Sequence, residues 1–325
     1  MNIFLTGGTG FIGRHTAELL SKTNHKVKLL IRNSSKRHNI NFPNIIFVEG
    51  DLSDKNSLIK GMKDCEAVIN IAGHYTFWEA NPKIYTDVNI NGTRNVLESS
   101  LETGVKKVIH ISTAGVFGKP NEQPFDEKSI PSEIKFSEYF RTKSEGDKIA
   151  WEFYEKRNLP LVVLYPVCVI GAGDTKASGR YLKDLINKKL PATIFNDEIF
   201  SFVYVKDVAQ AIVSALEKEN NIGEKYLIGD NRLKWGAINT MISEISGVRL
   251  PKIRMPNFLT MLNAYMLTGI ANLIKKPPLW GMAIDQMKVM KAGFSVDGSK
   301  AERELGIKYT PISFALKEAI ESVMK

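Results

Sequence analysis

The sequence predicts an α/β fold, a doubly wound parallel sheet with a smaller, mostly helical C-terminal lobe. Three observations carry that prediction. Short apolar runs alternate with longer segments whose apolar residues recur at helical spacing. The first such pair is joined by a glycine-rich turn, Thr6-Gly7-Gly8-Thr9-Gly10, that hands a strand directly to a helix. The alternation then continues without an internal repeat or low-complexity run, the pattern of βαβ units and a parallel sheet.

At 325 residues the chain is long enough for one α/β domain carrying a smaller lobe, or for two domains. The net charge of +9 raises the question of nucleic acid. The cations are dispersed, however, with only short pairs such as Lys106-Lys107, Lys188-Lys189 and Lys275-Lys276. That pattern is a solvated basic surface, and no nucleic-acid partner is expected. Cys65 and Cys168 are too few for a disulfide scaffold, and His15, His25, His38, His74 and His110 share no ligand spacing, so no metal is expected. The N-terminus runs straight into a strand and leaves no room for a signal peptide; a cytoplasmic protein is the expectation.

Asn2 to Leu5 form the first strand and Phe11 to Leu20 the first helix. Gly7 allows the tight turn between them, Gly10 lets backbone N–H groups approach a pyrophosphate, and Gly13 lets the helix pack close to the sheet. The helix N-terminus then faces the phosphates. Lys26 to Ile31 form the second strand. The acid that would hold a ribose 2′-hydroxyl after this strand is replaced by Arg32, followed by Asn33-Ser34-Ser35-Lys36-Arg37. A guanidinium grips a 2′-phosphate that an acid would repel, so NADP(H) is preferred and NAD(H) is left open. Ile45 to Val48 are the third strand, with Ser53 as N-cap of the next helix; Asp51, at the strand's carboxyl end, either accepts from an adenine amino group or caps that helix.

Glu66 to Ile71 are the fourth strand, and the small Ala72-Gly73 let a cofactor pass over the backbone. An aromatic loop follows, His74-Tyr75-Thr76-Phe77-Trp78, then a long helix from Pro82 to Glu102. Asn89, polar on that buried helix, either bonds backbone or holds a water. Lys106 to Ile111 are the fifth strand, ending in Ser112-Thr113; strand alternation turns one of these two hydroxyls into the crevice. A helix from Ser137 to Lys156 carries Tyr139 and Lys143, four apart and hence on one face, where phenol and ammonium converge on one ligand. Leu161 to Leu164 are the sixth strand, followed by a turn-rich exit through Gly171 and Gly173. Residues 1–170 therefore read as a Rossmann-type dinucleotide-binding domain to which 200–230 return, and residues 171–199 and 231–325 mainly as a substrate-binding lobe.

Together these residues resemble the extended short-chain dehydrogenase/reductases, also described as NAD-dependent epimerases and dehydratases, over almost the whole chain. Thr6 to Gly13 is similar to the family's TGxxGxxG motif and Tyr139 to Lys143 to its YxxxK motif. Asn89 to Thr93, Phe202 to Ala209 and Ser299 to Gly306 are similar to three further signatures in the right order. Arg32 and the apolar second lobe point to the dihydroflavonol-reductase-like and hydroxysteroid-dehydrogenase-like branches. Two departures stand out: Thr113 where the family usually has Ser, and Tyr165 where it usually has Arg before Pro166.

The resemblance implies hydride transfer between a nicotinamide and a carbonyl or secondary alcohol. Tyr139 is the expected acid, its pKa lowered by Lys143; Thr113 fixes the substrate oxygen, and Asn89 orients a water behind Lys143. Expected cofactor contacts are Gly7, Thr9, Gly10, Phe11, Ile12, Gly13, Arg32, Lys36, Asp51, Leu52, Ala72, Gly73, Tyr139, Lys143, Pro166 and Val169. Expected substrate contacts are His74, Tyr75, Phe77, Trp78, Ala114, Gly115 and Cys168. Ala114-Gly115 stand where family dehydratases have an Asp-Glu pair, which argues against dehydration; epimerisation of a nucleotide sugar, with tightly bound NAD(P), remains the alternative. A non-catalytic cofactor sensor is a further reading, disfavoured because Tyr139 and Lys143 are both present. Family members often dimerise through the two long helices, here Pro82 to Glu102 and Ser137 to Lys156, and the resemblance leaves a homodimer open. The uncharged run Phe258 to Ile274 is too short to span a bilayer, so no membrane insertion is expected. It is either a helix buried in the second lobe or a roof over the site, the latter making Met261, Tyr265 and Met266 contacts to a hydrophobic substrate.

Overall fold

The computed structural model describes residues 1–32, 40–132 and 137–324. The first half runs β1 (Asn2–Thr6), α1 (Phe11–Leu20), β2 (Lys26–Ile31), β3 (Ile45–Glu49), α2 (Lys55–Met62), β4 (Ala67–Asn70), α3 (Lys83–Tyr85), a π-helical segment (Thr86–Gly92), α4 (Thr93–Glu102), β5 (Lys107–Ile111) and α5 (Glu138–Arg157). The second half runs β6 (Leu161–Pro166), β7 (Cys168–Ile170), α6 (Ala177–Ile186), β8 (Ala192–Thr193), β9 (Ile199–Tyr204), α7 (Val205–Glu217), β10 (Lys225–Ile228), β11 (Asn231–Lys234), α8 (Trp235–Ser246), β12 (Ile253–Arg254), α9 (Asn257–Ile274), α10 (Ile284–Ala292), α11 (Ser299–Leu305) and α12 (Ile312–Met324).

Seven strands form one sheet in the order β10-β6-β5-β4-β1-β2-β3. Every neighbouring pair is parallel. Their central residues, such as Ile3, Phe4 and Leu5 in β1 and Leu161 to Leu164 in β6, are buried, as in a sheet covered on both faces. Helices α1 and α7 pack on each other, and α4 packs on α2 and α5, giving the two flanking groups. The strand order reverses between β1 and β4, and ligands in such sheets bind in the crevice this opens.

Several segments depart from the sequence reading. Asp54, not Ser53, caps α2, accepting from the Asn56 and Ser57 amides. Ser53 donates instead to Asp51, so Asp51 closes the preceding turn and does not cap the helix. The helix over 82–102 contains the π segment, where Gly146 of α5 comes so near the Asn89 carbonyl that a Cβ would lie 2.4 Å from it. Of residues 200–230, α7 and β10 pack on the large sheet, while β9 pairs with β7 and β11 in a separate three-stranded sheet. That small sheet belongs to a second apolar cluster, where Phe200, Phe202, Ile238, Met287 and Leu316 pack together. Helix α9 is neither buried nor a roof. Only Thr260, Ala264 and Ala271 of it are buried.

Candidate active site

A cavity of about 1210 Å³ lies across the carboxyl ends of the strands and extends between the two apolar clusters. At one end stands the glycine turn. Gly7 has φ +70°, and a Cβ there would lie 2.6 Å from the Ala72 nitrogen, so the turn passes closely under the end of β4. At Gly13 a Cβ would lie 2.1 Å from the Gly7 carbonyl, which is how closely α1 sits on the turn. Gly10 precedes α1 with no side-chain cap, leaving the first helical N–H groups directed at the cavity, an anion site of the kind a pyrophosphate fills. Thr9, Phe11 and Ile12 line the same end. The residues present therefore fit a dinucleotide.

Strand ends position the rest of that half. Arg32 and Leu52 line the wall beside Asp51, whose carboxyl is held below its usual range by the Ser53 hydroxyl and, more weakly, by Arg32. Lys36 lies outside the described residues. Asn95 of α4 donates to the Leu52 carbonyl at 2.7 Å and latches that wall in place. Beneath the site Thr6 donates to Asn70 at 2.6 Å, Asn70 meets His110 at 3.1 Å, and the Ala72 amide donates back to Thr6 at 3.2 Å. Burial drives the His110 pKa well down, so this ladder is neutral, and it holds Ala72-Gly73 against the cavity. On the other side Arg14 donates to the Ala172 carbonyl at 2.5 Å and pins the loop leaving β7 over the start of α1.

The chemistry-bearing groups converge on α5. Ser137 caps it by accepting from the Phe140 amide, which fixes the turn carrying Tyr139. Tyr139, Lys143 and Thr113 all line the cavity, as do Pro166 and Val169. Burial lowers Lys143 to about 8, Asp147 working against the drop, and its ammonium donates to the Ile111 carbonyl at 2.9 Å. Burial raises the Tyr139 pKa, and the Thr113 hydroxyl partly offsets it. The expected lowering by Lys143 is not seen, because the ammonium spends its bond on the end of β5. The Thr113 hydroxyl lies close enough to the phenol to lower its pKa, and Ser112 stands beside Asp147; both hydroxyl residues line the cavity. Asn89 bonds the backbone: its carboxamide accepts from the His74 amide at 2.8 Å and donates to the His74 carbonyl and the Thr142 hydroxyl, tying the aromatic loop to α5.

Toward the second cluster the walls become aromatic. Tyr75 and Phe77 stand edge-on to Tyr139, with ring centres 4.9 and 6.1 Å away. His74 lines the wall with its ring on Glu79, and Cys168 is a neutral thiol, raised to about 12 by burial. Six expected contacts are elsewhere. Ala114 and Gly115 are buried outside the cavity, with Phe140 so close over Gly115 that a Cβ would lie 2.2 Å from the ring. Met261, Tyr265 and Met266 lie on helix α9 and line neither this cavity nor the smaller one beside it, Tyr265 and Met266 being exposed and Met261 packing against the second cluster. Trp78 lines a smaller adjoining cavity and donates to Asn272 at 2.9 Å.

Sequence reasoning missed the far wall, made by Tyr181, Phe200, Phe202, Trp235 and Met290 from four separate elements. It also missed Asp147, which had a signal: it follows Lys143 by four, on the same helix face. Asp147 accepts from Tyr165 at 3.2 Å, and Trp151 donates to Tyr165 at 2.8 Å, so Tyr165 serves this buried acid and does not face the cavity.

Residues 3–229 match the model of the NAD dependent epimerase/dehydratase family. The chain is 26% identical to the Synechocystis protein named "Putative dihydroflavonol 4-reductase", over 98% of this chain and 93% of that one. Among solved structures, gox2253 superposes with a TM-score of 0.85 at 28% identity, covering 99% of this chain and 97% of that one. The UDP-glucuronic acid 4-epimerase of Bacillus cereus, in complex with UDP-glucuronic acid and NAD, superposes with a TM-score of 0.80 at 25% identity, covering 100% and 99%.

Proposed function

We propose, for a chain that belongs to the NAD dependent epimerase/dehydratase family, that it is an NADP(H)-dependent oxidoreductase acting on the carbonyl or secondary alcohol of a hydrophobic small molecule. One observation carries the substrate class. The half of the cavity beyond Tyr139 is walled mainly by aromatic and aliphatic side chains, with Asp174, Ser178 and Gln286 among its polar residues and the exposed Lys176 as its cation among the described residues. A nucleotide diphosphate needs fixed cations and several donors at its charge, and a wall of Phe200, Phe202, Trp235 and Ile238 supplies no cation and a single donor, the Trp235 indole N–H. Arg32, exposed at the end of β2 and lining the cofactor half, supports NADP(H).

A bound reduced nicotinamide would supply the hydride. Tyr139 keeps its proton in its buried setting and gives it to the substrate oxygen as that oxygen gains negative charge. Thr113 steadies the same oxygen beside the phenol. Lys143, charged below about pH 8, offers N–H groups to a ribose. Tyr75 and Phe77 pack against the Tyr139 ring and keep water from it. No acid-base pair for eliminating water follows Thr113, since Ala114 and Gly115 are buried.

The test is a panel of apolar ketones, aldehydes and nucleotide sugars, read by NADPH absorbance and product mass. Reduction of apolar carbonyls is expected. Turnover of a UDP-sugar without net redox change, and of no apolar carbonyl, would replace this reading with an epimerase.

A further inference from the structure

Helix α9 carries an apolar face that nothing among the described residues covers. Phe258, Leu262, Met266, Ile270, Leu273 and Ile274 recur three or four apart until the last, which places them on one side; Phe258 is 71% exposed and Leu273 84%. The opposite side holds the small buried residues Thr260, Ala264 and Ala271. Exposed Leu279 and Trp280 follow just beyond. A continuous patch of this kind marks a binding surface.

Charge identifies what it binds. From Ile245 to Ile284 the chain has no acid, but it has Arg249, Lys252 and Arg254 before α9 and Lys275 and Lys276 after it, all exposed. An apolar face flanked by cations matches the boundary between acyl chains and anionic headgroups. A second copy laid face to face would bring these cations against their like. No described helix is long and apolar enough to cross a membrane, so α9 lies along the surface.

A second cavity of about 310 Å³ opens beside α9, lined by Trp78, Met255, Pro277, Trp280 and Met282. It shares Tyr75, Phe77, Tyr181 and Met290 with the catalytic cavity. We propose that α9 seats the protein on an anionic phospholipid surface and that this cavity admits a lipid-dissolved substrate to Tyr139. The seating stands on α9 and its cations, whereas the route rests on the hydrophobic-carbonyl reading above.

The experiment is co-sedimentation of the full chain with phosphatidylcholine vesicles, with and without phosphatidylglycerol. Binding to the mixed vesicles should be about tenfold tighter, weaken with salt, and drop by about tenfold in Leu262→Glu/Leu273→Glu and in Lys275→Glu/Lys276→Glu. Both double variants should keep the wild-type melting temperature and turnover of a water-soluble ketone, while the leucine pair loses turnover of a long-chain ketone dissolved in vesicles. Absence of vesicle binding overturns the seating. Wild-type dimers that the leucine pair separates, without vesicle binding, assign the face to a second copy instead. Equal loss on both ketones overturns the route. If the wild type reduces neither ketone, the hydrophobic-carbonyl reading fails and the route with it, while sedimentation still decides the seating.

Discussion

Tyr139 enters the reaction with its proton in place, because burial disfavours the phenolate more than Thr113 favours it. Replacing it with Phe removes the proton and leaves the ring that packs on Tyr75 and Phe77. Tyr139→Phe should cost about 10²–10⁴ in kcat/KM with NADPH affinity nearly unchanged, checked by initial rates and fluorescence titration. Lys143 gives the pH dependence. Its pKa is lowered to about 8, so the ammonium is present below that value and lost as pH rises through it; kcat/KM should fall there. Asp147 is the anion that supports this charge, although burial lifts its own pKa to about 6. Asp147→Asn should therefore move the falling limb to lower pH, a displacement the kcat/KM profile reads directly.

At the scale of elements, the site depends on how closely α1 and α5 approach their neighbours. Gly13 admits the Gly7 carbonyl where a Cβ would lie 2.1 Å away, whereas at Gly10 the same atom would be 3.2 Å off. Gly13→Ala should lift the first turn of α1 from the loop, lower stability by about 1–3 kcal/mol and weaken NADPH binding; Gly10→Ala should cost less stability. Thermal melts and cofactor titrations of the two variants compare them. Gly146 of α5 packs with similar closeness on the π segment, whose Asn89 bonds both the amide and the carbonyl of His74. Asp207, in the Phe202 to Ala209 segment similar to a family signature, also works between elements: from α7 it accepts from the amide and hydroxyl of Thr310, just before α12.

At the scale of the whole molecule, the cavity is walled by both apolar clusters, so a ligand in it ties them together. NADPH at about 100 times its Kd should add about 2.7 kcal/mol to unfolding and raise the melting temperature. NADH at the same concentration should raise it less, and Arg32→Asp should reverse that order by adding repulsion as well as removing a grip. Equal shifts from the two cofactors in the wild type would make Arg32 plain surface charge.

Some of this was already determined by the sequence, because it is local. The need for glycine at Gly7 and Gly13 follows from a turn a few residues long, and the shared face of Tyr139 and Lys143 from the pitch of one helix. The parallel sheet follows from alternation along the chain, which the seven-stranded order confirms. Tertiary structure decided what depends on a distant partner. Only α5, packed over the end of β5, shows that Thr113 lies close enough to the phenol to lower its pKa and that Asp147 sits beside Ser112. Asn89 was readable as a buried polar residue, but its partners, His74 and Thr142, lie 15 and 53 residues away. The aromatic far wall gathers residues from four elements whose spacing carries no common period. Helix α9 is the sharpest case, since an uncharged helix reads the same whether it is core, roof or surface, and only the neighbours on each side decide which.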